Sequence, residues 1–188
     1  TGNTTETATA NLNGSTGTAN YSSVSISTTG AWTISGSNIA SAVIKFTGAD
    51  DVTLDGNNQL KITNTNATTS STLIWVASTS GGDPAKNNVI RNCTLVGNSN
   101  TTTYAGISQA SENNFKAVAD APNSDNTYTE NTITKTYTGI ALFGDASLET
   151  GNQVIKNTIG SSATDADKIG FRGIYFYNQD GILVDQNQ

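Results

Sequence analysis

A motif of the form Asn-x-hydrophobic-x-x-Asn recurs along the second half of the chain and constrains the fold more than any other feature. Its copies are residues 87–92, 126–131 and 152–157, and residues 182–187 keep the second asparagine, with Ile182 at the first position. In most copies a further apolar residue follows closely. Self-similarity of this kind is the signature of a repeat protein, in which each copy is one structural unit.

Short apolar segments that open with Gly106, Gly139 and Gly173 alternate with the motif copies at nearly equal intervals. Both kinds of segment are too short for stable helices and are bounded by Gly, Asn and Asp, which predicts strands. One such strand buries only a few side chains, each contributing roughly 1.5–3 kcal/mol. Ordering the backbone costs roughly 1–2 kcal/mol per residue. We therefore predict an all-β solenoid in which equivalent strands stack in parallel.

The paired asparagines are predicted to form ladders at the corners between strands. Asn tolerates unusual backbone angles, and an amide repeated in every unit can bond the copies above and below it. The predicted ladder residues are Asn87, Asn92, Asn126, Asn131, Asn152, Asn157 and Asn187. The predicted core residues are Val89, Leu95, Ile107, Tyr128, Ile133, Ile140, Val154, Ile159, Ile174 and Val184. The simpler alternative is that asparagine is merely frequent in this chain.

Composition agrees with a β protein and excludes several classes of function. Thr, Ser, Asn and Gly dominate the polar residues, and they are poor helix formers. Regularly placed Ile, Val and Leu argue against a disordered chain, except over the first 20 residues. The net charge is −6 with no basic cluster, so nucleic acid is not an expected partner. No apolar stretch reaches membrane-spanning length.

The repeat pattern suggests two regions and a segment of a longer protein. Residues 1–42 are predicted to be an irregular polar and β segment or edge, and residues 43–188 a parallel β-helix segment of about five rungs. The chain stops at Gln188, directly after a motif copy and in the middle of a repeat, so we expect it to be truncated in mid-repeat. The polar stretches 97–103, 109–126, 145–152 and 160–170 are predicted loops, which is where solenoids usually build binding surfaces.

Four phrases carry a resemblance to known proteins: residues 52–56, 71–75, 87–95 and 173–182. In these phrases the chain resembles single-stranded right-handed parallel β-helix proteins of the pectate-lyase-like type. It also looks like the very large Thr/Asn-rich adhesins that gliding and related Bacteroidetes secrete to their surface. That resemblance implies a right-handed coil, an extracellular or cell-surface location, type IX secretion, a link to gliding motility and adhesion to surfaces or polysaccharides.

Residues for catalysis are scarce. The chain has no His, which removes Ser-His and Cys-His nucleophiles and histidine-bound zinc, and Cys93 is the only cysteine. The Gly-His-Gly phrase on which polygalacturonase-like β-helix enzymes rely is therefore missing. A lyase of this fold needs an arginine base, and only Arg91 and Arg172 are present. Arg91 stands where another copy has Lys156, which favours a solvated strand residue over a base. We therefore predict that this segment is not an enzyme.

Acidic pairs are candidates for calcium, a hard cation that takes several oxygen ligands. The candidates are Asp50 with Asp51 and Asp55, and Asp165 with Asp167 in a Ser/Thr-rich loop. No EF-hand or nonapeptide pattern surrounds them, so solvated loop charges are the favoured interpretation. No cofactor or metal is expected, and Asp165 and Asp167 remain the weak calcium candidates.

Threonine runs and aromatic residues suggest two other surfaces. The threonine-rich stretches 101–103 and 134–138 could form an ice-binding array only if threonines align across several rungs. Aromatic side chains could stack on sugar rings if exposed, although core packing or stacking along the coil is the favoured explanation. These aromatic residues are Trp75, Tyr104, Tyr137, Tyr175 and Tyr177.

The resulting functional hypothesis is a non-catalytic structural stalk or adhesion module of a large secreted cell-surface protein. Its partners would be polysaccharides or other surface ligands and neighbouring repeats of the parent protein. One alternative is a β-helix protein that binds or degrades carbohydrate. A second alternative is a subunit of an extracellular filament, because an uncapped coil exposes strand edges at both ends.

Overall fold

A computed structural model describes residues 2–15, 20–68, 70–162 and 165–188. Within these ranges the protein is all-β, and its one helix is the short 3₁₀ helix Asp165–Asp167. The described part contains no helix that is long and apolar enough to cross a membrane. The high content of Thr, Ser and Asn agrees with this, since their side chains compete for the hydrogen bonds of a helix.

The strands alternate between two large sheets. They are β1 (Thr4–Glu6), β2 (Ala10–Asn13), β3 (Val24–Ser27), β4 (Trp32–Gly36), β5 (Ala42–Thr47), β6 (Val52–Asn64), β7 (Ser71–Ser78), β8 (Val89–Val96), β9 (Thr103–Ser111), β10 (Thr127–Thr129), β11 (Thr132–Thr134), β12 (Thr138–Phe143), β13 (Glu149–Thr150), β14 (Gln153–Ile155), β15 (Thr158–Ile159), β16 (Arg172–Tyr177), β17 (Gln179–Asp180) and β18 (Leu183–Asp185). All pairings between these strands are parallel.

Successive passages of the chain are neighbours within each sheet. A ten-stranded sheet runs β1-β4-β6-β8-β10-β14-β18, with β3, β11 and β15 beside this path, and a six-stranded sheet runs β16-β12-β9-β7-β5-β2. The strands β13 and β17 form a third, two-stranded sheet. We define a repeat as one passage through the ten-stranded sheet followed by one through the six-stranded sheet. Repeats 1 to 5 are then β3–β5, β6–β7, β8–β9, β10–β12 and β14–β16, with β1 and β2 before repeat 1 and β18 after repeat 5.

Side chains that are all apolar except for Gln109 stack between the sheets in columns, to which each repeat contributes one residue. Column 1 in the ten-stranded sheet is Ile26, Leu54, Ile90, Tyr128, Val154 and Val184. Column 2 in the six-stranded sheet is Leu12, Phe46, Val76, Gln109, Leu142 and Phe176. Inner members of both columns have no exposed surface, whereas Ile26, Val184 and Phe176 at the column ends are 38%, 43% and 49% exposed. Each repeat therefore buries its apolar residues mainly against its neighbours.

Six predicted core residues are completely buried: Leu95, Ile107, Tyr128, Ile133, Ile140 and Val154. Ile159 and Ile174 are partly buried and pack against the same core. The prediction for Val89 is wrong, because Val89 pairs with Thr127 on the outer face and its neighbour Ile90 occupies column 1. Val184 lies in column 1 as expected but is exposed, since no strand pairs with the far side of β18 in the described part of the chain.

The amino-terminal region carries strands that belong to the same two sheets. β1 and β4 lie in the ten-stranded sheet, and β2 pairs with β5 in the six-stranded sheet. The boundary predicted between residues 42 and 43 stays a prediction, and it falls inside the strand β5, which runs from Ala42 to Thr47. Residues 16–19, within the stretch 1–20 for which disorder was left open, lie outside the described residues.

Two of the four predicted loops contain short elements, and one begins within a strand. The stretch 145–152 contains β13, and the stretch 160–170 contains the 3₁₀ helix, with residues 163–164 outside the described residues. The stretch 109–126 begins inside β9, which continues to Ser111, so only its later part is a loop. The stretch 97–103 connects β8 to β9.

Candidate functional site: the polar ladders

Asparagine amides join each repeat to the one before it by a constant rule. The side-chain oxygen accepts a hydrogen bond from the backbone N–H of the equivalent residue one repeat earlier. The side-chain nitrogen donates to the carbonyl three residues before that equivalent residue. For Asn157 these partners are the N–H of Asn131, at 3.0 Å, and the carbonyl of Tyr128, at 2.9 Å. Each amide thus bonds two backbone groups of the neighbouring repeat at a corner between strands.

Two asparagine ladders follow this rule. In the first ladder, Asn88, Asn126 and Asn152 accept from the N–H groups of Val52, Asn88 and Asn126, each at 2.9 Å. In the second ladder, Asn131, Asn157 and Asn187 accept from Cys93, Asn131 and Asn157 at 3.1, 3.0 and 2.9 Å. The matching donations reach the carbonyls of Ala49, Ala85 and Asn123 and those of Ile90, Tyr128 and Val154. Most of these amides are buried, so they have little access to water as an alternative partner.

The residue before each ladder position has a left-handed backbone, which turns the chain at the corner. Before the first ladder these residues are Asn87, Asp125 and Gly151, with φ of 56°, 61° and 68°. Before the second ladder they are Asn92, Glu130, Lys156 and Gln186, with φ between 53° and 56°. Glycine and asparagine adopt this conformation readily, whereas Glu, Lys and Gln do so at a cost of about 1–2 kcal/mol each.

Asn87 and Asn92 were predicted to be ladder residues, and the structure places neither in a ladder. Asn87 is exposed and Asn88 takes its ladder position, while Asn92 precedes the ladder position that Cys93 occupies. The first motif copy therefore aligns with the others one residue later than its sequence pattern suggested. The physical reason is that asparagine suits both the left-handed corner and the ladder, and this register places Ile90 in the core.

A buried carboxylate extends the ladders with stronger acceptors. Glu149 on β13 accepts hydrogen bonds from Gln109 Nε2 at 2.5 Å, Gln179 Nε2 at 2.6 Å and the backbone N–H of Asn123 at 3.0 Å. The phenolic hydroxyl of Tyr128 donates to Gln109 Oε1 at 2.5 Å. Glu149, Gln109 and Tyr128 have no exposed surface, and their hydrogen bonds join repeats 3 and 4 to β13 inside the molecule.

Burial controls the protonation of this cluster. It raises the pKa of Glu149 to about 7, and hydrogen bonds from Gln179, Asn123 and Gln109 offset part of that effect. Burial also raises the pKa of the Tyr128 phenol well above its usual range, with a further contribution from the charge of Glu149. Tyr128 is therefore a neutral hydrogen-bond donor at any ordinary pH, and Glu149 is the titrating group of the cluster.

This cluster was missed in the sequence, although two signals for it were present. Gln109 takes a place in column 2 where other repeats have Leu142 and Phe176. Asn123 and Glu149 each stand three residues before a first-ladder asparagine. The side chain of Asn123 accepts a hydrogen bond from the backbone N–H of Ala85, and in the same way the side chain of Glu149 accepts one from the backbone N–H of Asn123. Polar residues at one fixed offset from the motif thus form a further ladder.

Three of the acidic residues considered for calcium, Asp165, Asp167 and Asp55, lie in separate ion pairs. Asp165 pairs with Lys168, and Asp167 pairs with Lys135 at 3.2 Å. Asp55 pairs with Arg91 at 2.9 Å, and hydrogen bonds led by that from Asn92 hold its carboxyl pKa below the usual range. Within the described ranges, no group of three or more His, Cys, Asp or Glu side chains is arranged to hold a metal ion.

The aromatic residues form a packed row along the outer face of the six-stranded sheet. Trp75, Phe115, Tyr104, Tyr137 and Phe171 follow one another with ring centroids 5.3–6.5 Å apart. Cations cover several ring faces: Lys45 lies 3.8 Å from the centroid of Trp75, and Lys116 lies 4.6 Å from that of Tyr104. These contacts occupy ring faces that a sugar would need for stacking. Tyr177 on β16 differs, because its side chain is 49% exposed.

Cys93 stands at the second-ladder position of repeat 3 without an amide of its own. Its backbone N–H donates to Asn131, and its thiol contacts the carbonyl of Arg91 at 3.2 Å. Burial raises the pKa of the Cys93 thiol to about 12, so the reactive thiolate is scarce at neutral pH. Arg91 is exposed and paired with Asp55, as a strand residue at the surface.

The surface hollows offer no convergent set of catalytic groups in the described residues. One hollow, of about 840 Å³, is lined mainly by hydroxyl and apolar side chains near Thr134, Ile159 and Phe171, with Lys168 as its charged residue. A smaller hollow of about 420 Å³ contains Asp50, Asp51 and Asp83. Desolvation raises the pKa of Asp50, and its carboxylate accepts from the backbone N–H of Lys86 at 2.7 Å.

The polar groups that the structure brings together are thus turned inward and bond one repeat to the next. Comparison of the chain with family models, with curated proteins and with solved structures gives no match.

Proposed function

We propose that this chain is a segment of a right-handed parallel β-helix that serves as a non-catalytic structural stalk or adhesion module at a cell surface. The observation that carries the proposal is the constant hydrogen-bonding rule of the asparagine ladders, with the partners described for Asn157. The buried polar side chains are largely committed to holding repeats together. A solenoid extends in length at nearly constant stability per repeat, which suits a projecting stalk.

Right-handed coiling and the extracellular location are supported by the resemblance of residues 52–56, 71–75, 87–95 and 173–182 to secreted β-helix adhesins. Polysaccharides or other surface ligands are the proposed partners, bound at the loops that leave the sheets. No cofactor is part of the proposal. The acidic loop residues Asp165 and Asp167 are each paired with a lysine, which favours solvated charges over a calcium site.

Inserting repeats tests the stalk. Residues 127–152 run from one first-ladder asparagine to the next, so copies inserted after Asn152 preserve the register. Strands stack about 4.8 Å apart, so four inserted copies should lengthen the molecule by about 19 Å in small-angle X-ray scattering. The melting temperature should change little. A compact particle of unchanged length would reject the coil.

A polysaccharide panel tests the absence of catalysis. The protein is incubated with neutral and acidic polysaccharides, and the release of reducing ends and of unsaturated products is measured. Retention on immobilised polysaccharide without cleavage would support adhesion. Cleavage of any member would replace the stalk by the carbohydrate-degrading alternative.

A further inference from the structure

Residues 112–116, which we call the strap, follow β9 and lie against the outer face of the six-stranded sheet. The carbonyl of Glu112 accepts a hydrogen bond from Nζ of Lys45 at 2.7 Å, which ties the start of the strap to β5. Further along, Phe115 is buried, and its ring centroid lies 5.5 Å from that of Trp75 on β7. The strap therefore shields Trp75 from solvent on this face.

A hollow of about 320 Å³ lies beside the strap. Its polar lining consists of Ser41, Ser70, Asn113, Asn114 and Lys116, and none of its described lining residues is Asp or Glu. The chain as a whole has 15 acidic and 9 basic residues, so a hollow with an ammonium group and no carboxylate departs from its average charge. A lining of this kind favours a negatively charged ligand.

The polar groups at the hollow are mainly hydrogen-bond donors. The Oδ1 of Asn114 accepts from the backbone N–H of Lys116 at 2.9 Å, so its Nδ2 is the group that it can offer a ligand. The ammonium of Lys116 lies 4.6 Å from the ring centroid of Tyr104, a contact that holds it at the strap. A second ammonium, that of Lys45, lies 3.8 Å from the ring centroid of Trp75.

Both ammonium groups are partly withdrawn from water. Desolvation lowers the pKa of Lys45 and that of Lys116 from their ordinary values. The charge of Glu112 offsets part of this effect at Lys45, although its carboxylate also accepts from the backbone N–H of Ser80 at 2.8 Å. An anion beside these lysines would stabilise their charged form further.

Trp75 adds a donor that the protein leaves unused. Its side chain is 4% exposed and lines the hollow, and its Nε1 is buried without a hydrogen-bond acceptor among the described residues. A buried N–H without an acceptor is unfavourable, and such groups are rare in folded proteins. A ligand oxygen in the hollow would supply the missing acceptor.

We propose that this hollow binds an oxyanion, a carboxylate, sulfate or phosphate group, between the ammonium of Lys116, the amides of Asn113 and Asn114 and the indole N–H of Trp75. Because Nε1 is buried beneath the strap, the anion reaches it by displacing the strap outward. The site lies on the outer face of the sheet, apart from the ladders, and it does not depend on the proposed stalk.

The indole N–H signals report binding directly, because the chain has two tryptophans, Trp32 and Trp75. Proton–nitrogen correlation spectra are recorded with increasing sodium sulfate, and sodium chloride keeps the ionic strength constant. The Trp75 signal should shift and saturate, while that of Trp32 should stay in place. Trp75→Phe removes one of the two signals and identifies it. Sodium phosphate and sodium acetate are titrated in the same way.

Two variants test the donors. Lys116→Gln should weaken sulfate binding about tenfold, because it removes a charge-assisted hydrogen bond. Lys61→Gln, at an exposed position on β6 in the other large sheet, is the matched control and should bind as the wild type does. Trp75→Phe keeps an aromatic ring but lacks the N–H, so it should also bind more weakly, as followed by the backbone signals of residues 113–116. Circular dichroism establishes that each variant is folded.

Dextran sulfate and sodium sulfate, compared at equal sulfate concentration, distinguish the two sources of the anion. Tighter binding of dextran sulfate would assign a group carried by a polysaccharide, and equal binding would assign a free ion. Three results would overturn the proposal. They are a Trp75 signal that none of the three anions moves, equal affinity of the wild type and Lys116→Gln, and a shift of the same signal by unsulfated dextran.

Discussion

The side-chain oxygen of Asn157 lies 3.0 Å from the backbone nitrogen of Asn131, which occupies the equivalent position one repeat earlier. Replacing Asn157 by Ala leaves the Asn131 N–H and the Tyr128 carbonyl without their partner in a buried corner. Each unsatisfied group costs about 1–3 kcal/mol. We expect the free energy of unfolding to fall by about 2–4 kcal/mol in urea denaturation.

The matched control is Asn98→Ala, since Asn98 is exposed and its side chain bonds a neighbouring loop hydroxyl at 3.3 Å. We expect this change to cost less than about 0.5 kcal/mol. Equal losses in the two variants would show that the ladder bonds do not contribute to stability.

The buried Glu149 should make stability depend on pH in an unusual direction. Its pKa is raised from 4.5 to about 7 in the folded protein, because burial penalises the charged form. Between these values the folded state holds more protons than the unfolded state, so stability falls as the pH rises. The contribution is fully present below about pH 4.5 and is lost as the pH passes about 7. The loss should be roughly 3 kcal/mol.

The measurement is the free energy of unfolding of the wild type and of Glu149→Gln at several values between pH 4 and pH 8. Other groups titrate in both proteins, so the difference between the two isolates Glu149. That difference should grow with pH in favour of the variant. If the difference in unfolding free energy between the two proteins stays constant from pH 4 to pH 8, Glu149 does not titrate in this range.

The left-handed backbone of Lys156 predicts a stabilising substitution. Lys156 has φ of 56°, a conformation that glycine adopts without strain. Lys156→Gly should raise the free energy of unfolding by about 0.5–1 kcal/mol after the greater flexibility of unfolded glycine is subtracted. Thr158→Gly, at a nearby strand position on the outer face, is the control and should lower stability. A loss in both variants would contradict the left-handed corner.

Neighbouring substitutions at residues 89 and 90 test the register of repeat 3. Ile90 is completely buried and pairs with Tyr128, whereas Val89 is half-buried on the outer face. Ile90→Ala should cost about 2–5 kcal/mol because it opens a cavity in column 1. Val89→Ala should cost about 1 kcal/mol or less. The measurement is the free energy of unfolding of the two variants in thermal or urea denaturation. A larger loss for Val89→Ala than for Ile90→Ala would support the alignment expected from the motif.

The sequence pattern alone identified the strand class, the parallel stacking of equivalent segments and most ladder asparagines. These features repeat, and each copy reinforces the others. The register failed only where Asn87 and Asn88 stand together, since either residue can fill either corner role. What distinguishes them is the burial of Ile90, which depends on the facing sheet and not on the local pattern.

The Gln109–Glu149 cluster could not be read from the motif, because its members come from different strands. A buried carboxylate is costly unless donors surround it, and those donors are visible only once the repeats are stacked. Sequence periodicity specifies which residues share a column. It does not specify which side chains from opposite sides of the interior reach one another.

Every ladder amide bonds backbone groups of the repeat before it, as Asn187 does with the N–H of Asn157 and the carbonyl of Val154. During synthesis the chain emerges amino end first, so the backbone partners of each ladder amide are made before the amide itself. We expect the N–H of Cys93 to become protected from hydrogen exchange before that of Asn157 while the chain is being synthesised, because its acceptor Asn131 is made before Asn187. Simultaneous protection would show no such order. Each new repeat therefore completes the hydrogen bonds of the repeat before it, and no repeat depends on a distant one for its ladder bonds.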